Sequence, residues 1–172
     1  SFAVSARRKT KSSPWEVTQL FEIHRPDRED ELERIKLSGG SVSFGCGKTP
    51  SRLQTPEWKL AMSRSFGDFH AVPYGLSNEP EVASEVQLEP DYEHLILVCS
   101  DGVWDMIDPQ QAVKFVGKFS PDEAQVAVER LVSKAQRRWQ ETEGVVDDIT
   151  AMLIWPGYFY EEVQGSSDEG ED

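Results

Sequence analysis

Apolar positions crowd most densely in two short runs, His94-Leu95-Ile96-Leu97-Val98 and Ile149-Thr150-Ala151-Met152-Leu153-Ile154-Trp155. Each meets polar and acidic residues at one end: Cys99-Ser100-Asp101-Gly102-Val103-Trp104-Asp105 follows the first, and Val145-Val146-Asp147-Asp148 precedes the second. Brief apolar runs closed by turn residues predict strands, the first buried on both faces. Asp101 then stands at the end of a core strand, where a carboxylate kept from water needs a cation, dense hydrogen bonding or a raised pKa. Gly102 suits a sharp turn, and Asp105 falls one helical turn beyond Asp101. Ser-Asp-Gly is also ordinary turn chemistry, so the local sequence is met at least as well by a capped turn after a strand.

Elsewhere the pattern is weaker but readable. Residues 1–5 and 17–23 have strand character around a polar stretch with Arg7, Arg8, Lys9 and Lys11, which predicts a hairpin with a solvated basic loop. Pro26 and the acids after it open a helix through Leu32, Ile35 and Lys36, which Gly39-Gly40 ends. A strand over 41–44 follows. Gly45-Cys46-Gly47-Lys48-Thr49-Pro50 lacks the spacing of a phosphate loop and reads as a flexible loop to Pro56. Residues 60–68 show no clean period, with Arg64 and Asp68 expected to satisfy each other or nearby backbone. The stretch from 73 to 90 is irregular, with one short strand over 82–86. Asp108-Pro109-Gln110-Gln111 caps a helix that buries Ala112, Val113, Phe115 and Val116, its Gln reaching back to the cap. Ser120-Pro121-Asp122-Glu123 repeats the device, and Ala124, Val128, Leu131, Ala135 and Trp139 then mark one stripe of a helix of about five turns.

Charge and chemistry narrow the function. The 172 residues carry a net charge of −13, which opposes a nucleic-acid or anionic-membrane surface. Residues 161–172 hold six acids and no base, so the remainder carries −7; from Gly165 on the stretch lacks apolar side chains to bury, and residues 161–172 are expected to be a disordered tail after a domain over 1–160. Two cysteines, Cys46 and Cys99, read as free thiols in a reducing compartment, and no apolar run approaches a membrane span, which together predict a cytoplasmic or nuclear protein. If the two apolar strands share a sheet, Asp101 and Asp147 converge. Carboxylates at the mouth of a β-core are hard ligands for Mg²⁺ or Mn²⁺, and the scarcity of His and Cys speaks against zinc.

Four segments in order carry a more specific signal: Leu60-Ala61-Met62-Ser63-Arg64-Ser65-Phe66-Gly67-Asp68, Glu79-Pro80-Glu81-Val82, the run from Leu95 to Asp105, and Asp147-Asp148-Ile149-Thr150. They resemble the C-terminal motifs of the metal-dependent serine/threonine protein phosphatases, the type 2C or PPM family. Ser1-Phe2-Ala3-Val4, Ile23-His24-Arg25-Pro26, and Glu33-Arg34-Ile35 with Gly39-Gly40-Ser41-Val42 extend the likeness over about positions 1 to 156. The resemblance implies an α+β fold, a four-layer αββα sandwich of two antiparallel sheets flanked by helices, with two Mg²⁺ or Mn²⁺ ions between the sheets and phosphoserine or phosphothreonine proteins as substrates. It implies Asp101 and Asp147 as metal ligands that act through the attacking water, with Asp105 orienting them. The family's Glu-Asp pair, Asp-Gly-His-Gly-Gly run and phosphate-binding Arg are absent from these residues, so the chain is expected to work with a missing N-terminal half and to be inactive and prone to associate alone. Ile23 stands where the family usually has Asp, Phe2 where Arg is common, and Asp148 where Asn is usual; the added charge of Asp148 either strengthens cation binding or faces solvent. The other reading is a catalytically inactive phosphatase-like module that binds phosphoproteins or regulates a partner.

Overall fold

The computed structural model describes residues 1–47, 49–82 and 87–157. Its elements run β1 (Phe2–Arg8), β2 (Glu16–Gln19), α1 (Glu29–Leu37), β3 (Ser41–Ser43), β4 (Arg52–Gln54), β5 (Lys59–Leu60), β6 (Glu93–Cys99), α2 (Asp101–Trp104), α3 (Pro109–Val116), α4 (Ala124–Thr142) and β7 (Ala151–Ile154), with 3₁₀ turns at Phe69–Tyr74 and Pro121–Glu123. The class is α+β with two antiparallel sheets, as expected, ordered β2-β1-β6-β7 and β3-β4-β5. The chain divides into two compact units, residues 1–22 with 84–172, and residues 23–83.

In the first unit β6 is central, paired with β1 from Phe2↔Cys99 to Arg8↔Glu93 and with β7 from Cys99↔Ala151 to Ile96↔Ile154. Directly opposed residues share a face. Val4, Leu97 and Leu95 therefore lie together under the helices, in one core with Val103, Val113 and Leu131. The opposite face carries Ala3, Val98 and Met152 in one row and Ser5, Ile96 and Ile154 in the next. Here the expectation of a strand buried on both faces is corrected: β6 alternates, with Leu95, Leu97 and Cys99 buried but Ile96 and Val98 only half-buried. On β7, Met152 is 58 % and Ile154 37 % exposed on that face.

The hairpin of β1 and β2 forms with a shifted boundary. Arg7 and Arg8 belong to the strand, where Arg7 pairs with Glu16 at 2.8 Å and Glu89 at 2.6 Å, and Arg8 pairs with Glu93 at 2.7 Å over the Trp15 ring. The solvated basic loop thus shrinks to Lys9 and Lys11. At α3, Asp108 Oδ1 accepts from the backbone of Gln110 and Gln111 at 3.0 and 3.3 Å, as a helix cap should. Asp108→Ala is expected to cost about 1 kcal/mol in a denaturant titration of the complete protein. The Gln110 side chain donates to the Trp15 carbonyl at 2.8 Å, and Phe115 is half-buried, stacked obliquely on Phe119. In α4 the buried stripe is Ala127, Leu131 and Ala135, with Ala124, Val128 and Trp139 at its margins. Cys99 is a free, buried thiol whose pKa burial pushes up to about 12, outweighing its bond with the Met152 backbone, so it is chemically quiet.

In the second unit α1 buries Ile35 and, one turn before it, Glu31. The expected loop from 45 to Pro56 contains β4, whose Leu53 is fully buried between Val42 and Leu60. A three-residue strand with one inward side chain is too short to show a period. Arg64 and Asp68 do not pair with each other: Arg64 donates to Glu31 and to the Glu79 carbonyl, while Asp68, at a left-handed φ of 53°, accepts from Ser65 Oγ at 3.0 Å. Val82 is exposed, and the remainder of the strand expected over 82–86 lies outside the described residues, as do Lys48 and the whole acidic tail.

Candidate metal centre

Antiparallel pairing sets the site. Because β6 ends at Cys99 opposite the start of β7 at Ala151, the residues after β6 and those before β7 meet at one end of the sheet. Ser100 ties them. Its backbone N–H donates to the Thr150 carbonyl at 2.9 Å, its hydroxyl donates to the Asp148 carbonyl at 3.1 Å, and it accepts from the Thr150 N–H at 3.0 Å. Gly102 permits the approach, since a Cβ at this position would sit 2.5 Å from the Asp148 carbonyl oxygen and 2.9 Å from Ile149. Alanine normally improves a helical position over glycine. Gly102→Ala should here do the reverse, costing about 1–3 kcal/mol as overpacking does, and a lower denaturation midpoint of the complete protein checks the sign.

Asp101 opens α2, and the Asp105 N–H donates to the Asp101 carbonyl at 2.8 Å, so the expected helical turn forms and the two carboxylates share a face. Asp101, Asp105, Asp147 and Asp148 are all exposed. This corrects the expectation of a carboxylate sequestered from water: α2 begins where the sheet ends and its first residue faces outward. The Asp101 carboxylate accepts no hydrogen bond from any described residue, whereas Asp147 Oδ1 accepts from the Asp148 N–H at 2.8 Å.

A four-residue helix satisfies only some of its own carbonyls and those just after it. Trp139 Nε1 donates to the Gly102 carbonyl at 2.7 Å and Arg138 donates to the Met106 carbonyl at 2.6 Å, both from the last turns of α4. Trp104 stacks on Phe2 at 4.6 Å and donates to its carbonyl at 3.0 Å. Sequence reasoning assigned Trp139 to the core stripe and gave no part to Arg138 or Ser100. The available signal was that the indole and guanidinium are donors that need acceptors where half-buried.

The donor set fits Mg²⁺ or Mn²⁺ in kind: exposed carboxylate oxygens, with the nearby Cys99 thiol buried in the core. It is incomplete in number. Among the described residues no group of three or more His, Cys, Asp and Glu side chains gathers closely enough to hold an ion.

The family model described as "Protein phosphatase 2C" matches residues 3–144, a stretch that includes Asp101 and Asp105 and stops short of Asp147. Two Arabidopsis thaliana proteins are similar to this chain: "Probable protein phosphatase 2C 73", 43 % identical over 81 % of the chain, and "Probable protein phosphatase 2C 2", 37 % identical over 78 %. The chain spans 38 % and 33 % of their lengths, well under half. A solved serine-threonine phosphatase 2C from Toxoplasma gondii superimposes with a TM-score of 0.76 at 25 % identity, over 90 % of this chain and 51 % of that one. Fold, ordered motifs and these likenesses agree, and the chain belongs to the protein phosphatase 2C family.

Proposed function

We propose that this chain is the C-terminal part of a metal-dependent phosphatase that hydrolyses phosphoserine and phosphothreonine in proteins, with Asp101 and Asp147 as its share of a dinuclear site. The observation that carries the reading is the junction of β6 and β7, where two exposed carboxylate-bearing segments are cross-linked through Ser100 and pressed together at Gly102. When bound, Mg²⁺ or Mn²⁺ lowers the pKa of the attacking water and neutralises the phosphoryl oxygens. Asp101 and Asp147 present oxygens to the ions, and Asp105 orients that shell from one turn further along α2. Trp139 and Arg138 hold α2 still, so the carboxylates are not reorganised during reaction. With Asp148 included, each of the two segments presents two exposed carboxylates, and such charges repel a phosphate dianion unless cations intervene.

The open face of the first sheet supports a complementing half. Ile96, Val98, Met152 and Ile154 form an apolar patch that a second sheet would bury, at about 25 cal/mol per Å² removed from water. The 172-residue chain alone is expected to associate and to show no turnover of a phosphothreonine peptide with Mn²⁺. Addition or fusion of the preceding half should produce a monodisperse, active enzyme. Sedimentation and an activity assay check both: appreciable turnover by the isolated chain would overturn the shared-site reading. A complete protein that binds the peptide without hydrolysing it would favour the inactive module.

A further inference from the structure

Positive charge is concentrated on one surface of this acidic chain. Lys118, in the turn after α3, neighbours Lys134 and Arg137 of α4, with Arg130 one turn earlier, and among the described residues no carboxylate lies within ion-pair distance of these four. Five arginines elsewhere, Arg7, Arg8, Arg28, Arg34 and Arg64, are paired with carboxylates, whereas Arg52, among the described residues, reaches only the Lys59 carbonyl. The acids close by are engaged: Glu129 accepts from Gln125 at 2.8 Å, and Glu123, which also feels Arg130, accepts from Ser120 at 3.0 Å. Lys134 lies 4.9 Å over the Phe115 ring and Arg130 5.6 Å over that of Phe119. An open concavity of about 270 Å³ runs between the helices, lined by Phe115, Arg130, Ser133, Lys134 and Arg137. Burial, then the neighbouring charges of Arg138, Lys118 and Arg137, hold the Lys134 ammonium below the usual lysine range. Crowded cations over an aromatic floor gain most from an anion that also brings an apolar group.

We propose that this groove docks an acidic stretch of the polypeptide substrate, carboxylates on Arg130, Lys134 and Arg137 and an apolar side chain on Phe115. The inference rests on the phosphatase reading. A polynucleotide is disfavoured because the net charge of −13 repels a long polyanion, while a short acidic peptide meets only the local cations. The same helix links groove and site: from Arg130 to Trp139, which holds Gly102, α4 rises about 14 Å, the span of four or five extended residues. The acidic stretch therefore stands about five or more residues from the phosphorylated side chain.

The test uses the complete enzyme and two phosphothreonine peptides with one phosphosite, differing only in whether a Leu-containing Asp/Glu stretch or a Gly/Ser stretch lies six residues away. The acidic peptide should show a KM lower by on the order of tenfold at equal kcat, an advantage lost in 0.5 M salt. Lys134→Glu with Arg137→Glu should abolish that advantage and leave the Gly/Ser peptide unchanged; equal effects on both peptides, or on neither, overturn the proposal. Anisotropy of the unphosphorylated acidic peptide reads docking without catalysis, so docking of it while the phosphorylated acidic peptide is never hydrolysed sinks the phosphatase reading and spares the groove. Deletion of residues 161–172 is the last arm: unchanged docking supports a substrate occupant, and docking seen only after deletion assigns the groove to the chain's own acidic segment and overturns it.

Discussion

In the complete enzyme Asp101→Asn should lower turnover of a phosphothreonine peptide by on the order of a hundredfold or more and shift the Mn²⁺ dependence to higher concentration, and Asp147→Asn should do the same. The amide keeps the shape of the carboxylate but loses a charge that no described residue compensates at Asp101. Ion affinity and water activation fall together. Asp105→Asn, removed by one helical turn, should cost about ten- to a hundredfold, the range of residues that orient ligands rather than supply them. Calorimetric titration of Mn²⁺ separates lost binding from lost chemistry. Near-normal kinetics with either Asp101→Asn or Asp147→Asn would remove that residue from the ligand set.

Legibility followed the range of the interaction. Both acid-terminated apolar strands, β6 and β7, were readable because continuous apolar runs and terminal Asp-Gly or Asp-Asp are local patterns, and their antiparallel adjacency brings Asp101 and Asp147 to one sheet end. The caps of α3 and of the 3₁₀ turn Pro121–Glu123 that leads into α4 were readable for the same reason, each complete within four residues. Exposure was misjudged. Whether β6 is covered on its second face depends on residues far away in sequence, and so does the solvent exposure of Asp101. The hydrogen bonds of Trp139 to α2 and of Arg138 to the turn after it cross about 35 residues and leave no periodic trace in α4 beyond a half-buried stripe.

Glu31 marks the far end of that scale. It sits among three acids at the start of α1, where the helix dipole alone accounts for acidic residues, yet only Glu31 turns inward with Ile35. Fully buried, it accepts from Arg34 at 2.6 and 2.9 Å and from Arg64 at 2.6 and 3.0 Å, with Arg28 at 3.4 Å. Arg34 also reaches the Ser63 and Gly75 carbonyls, so the carboxylate anchors two arginines that fasten α1 to the segment between β5 and Gly75. Removing one member of such a network leaves charge uncompensated, at a cost of about 3–5 kcal/mol. Arg34 and Arg64 keep 30 % and 19 % of their side-chain exposure, so Glu31→Ala should fall at the low end, about 3 kcal/mol, with faster hydrogen exchange across α1. Desolvation pushes the Glu31 pKa up, but the hydrogen bonds from Arg34 and Arg64 outweigh it and hold the carboxyl well below the ordinary 4.5. A group whose folded pKa is depressed stabilises the fold above its unfolded pKa and loses that contribution as pH falls toward the folded value. The protection of α1 amides should therefore be level from pH 7 down to about 5 and decline from about 4.5 downward. Glu31→Gln, which cannot titrate, should begin lower and decline less over the same window. If wild type and Glu31→Gln lost protection in parallel below pH 4.5, the carboxylate would not be what holds α1 in place.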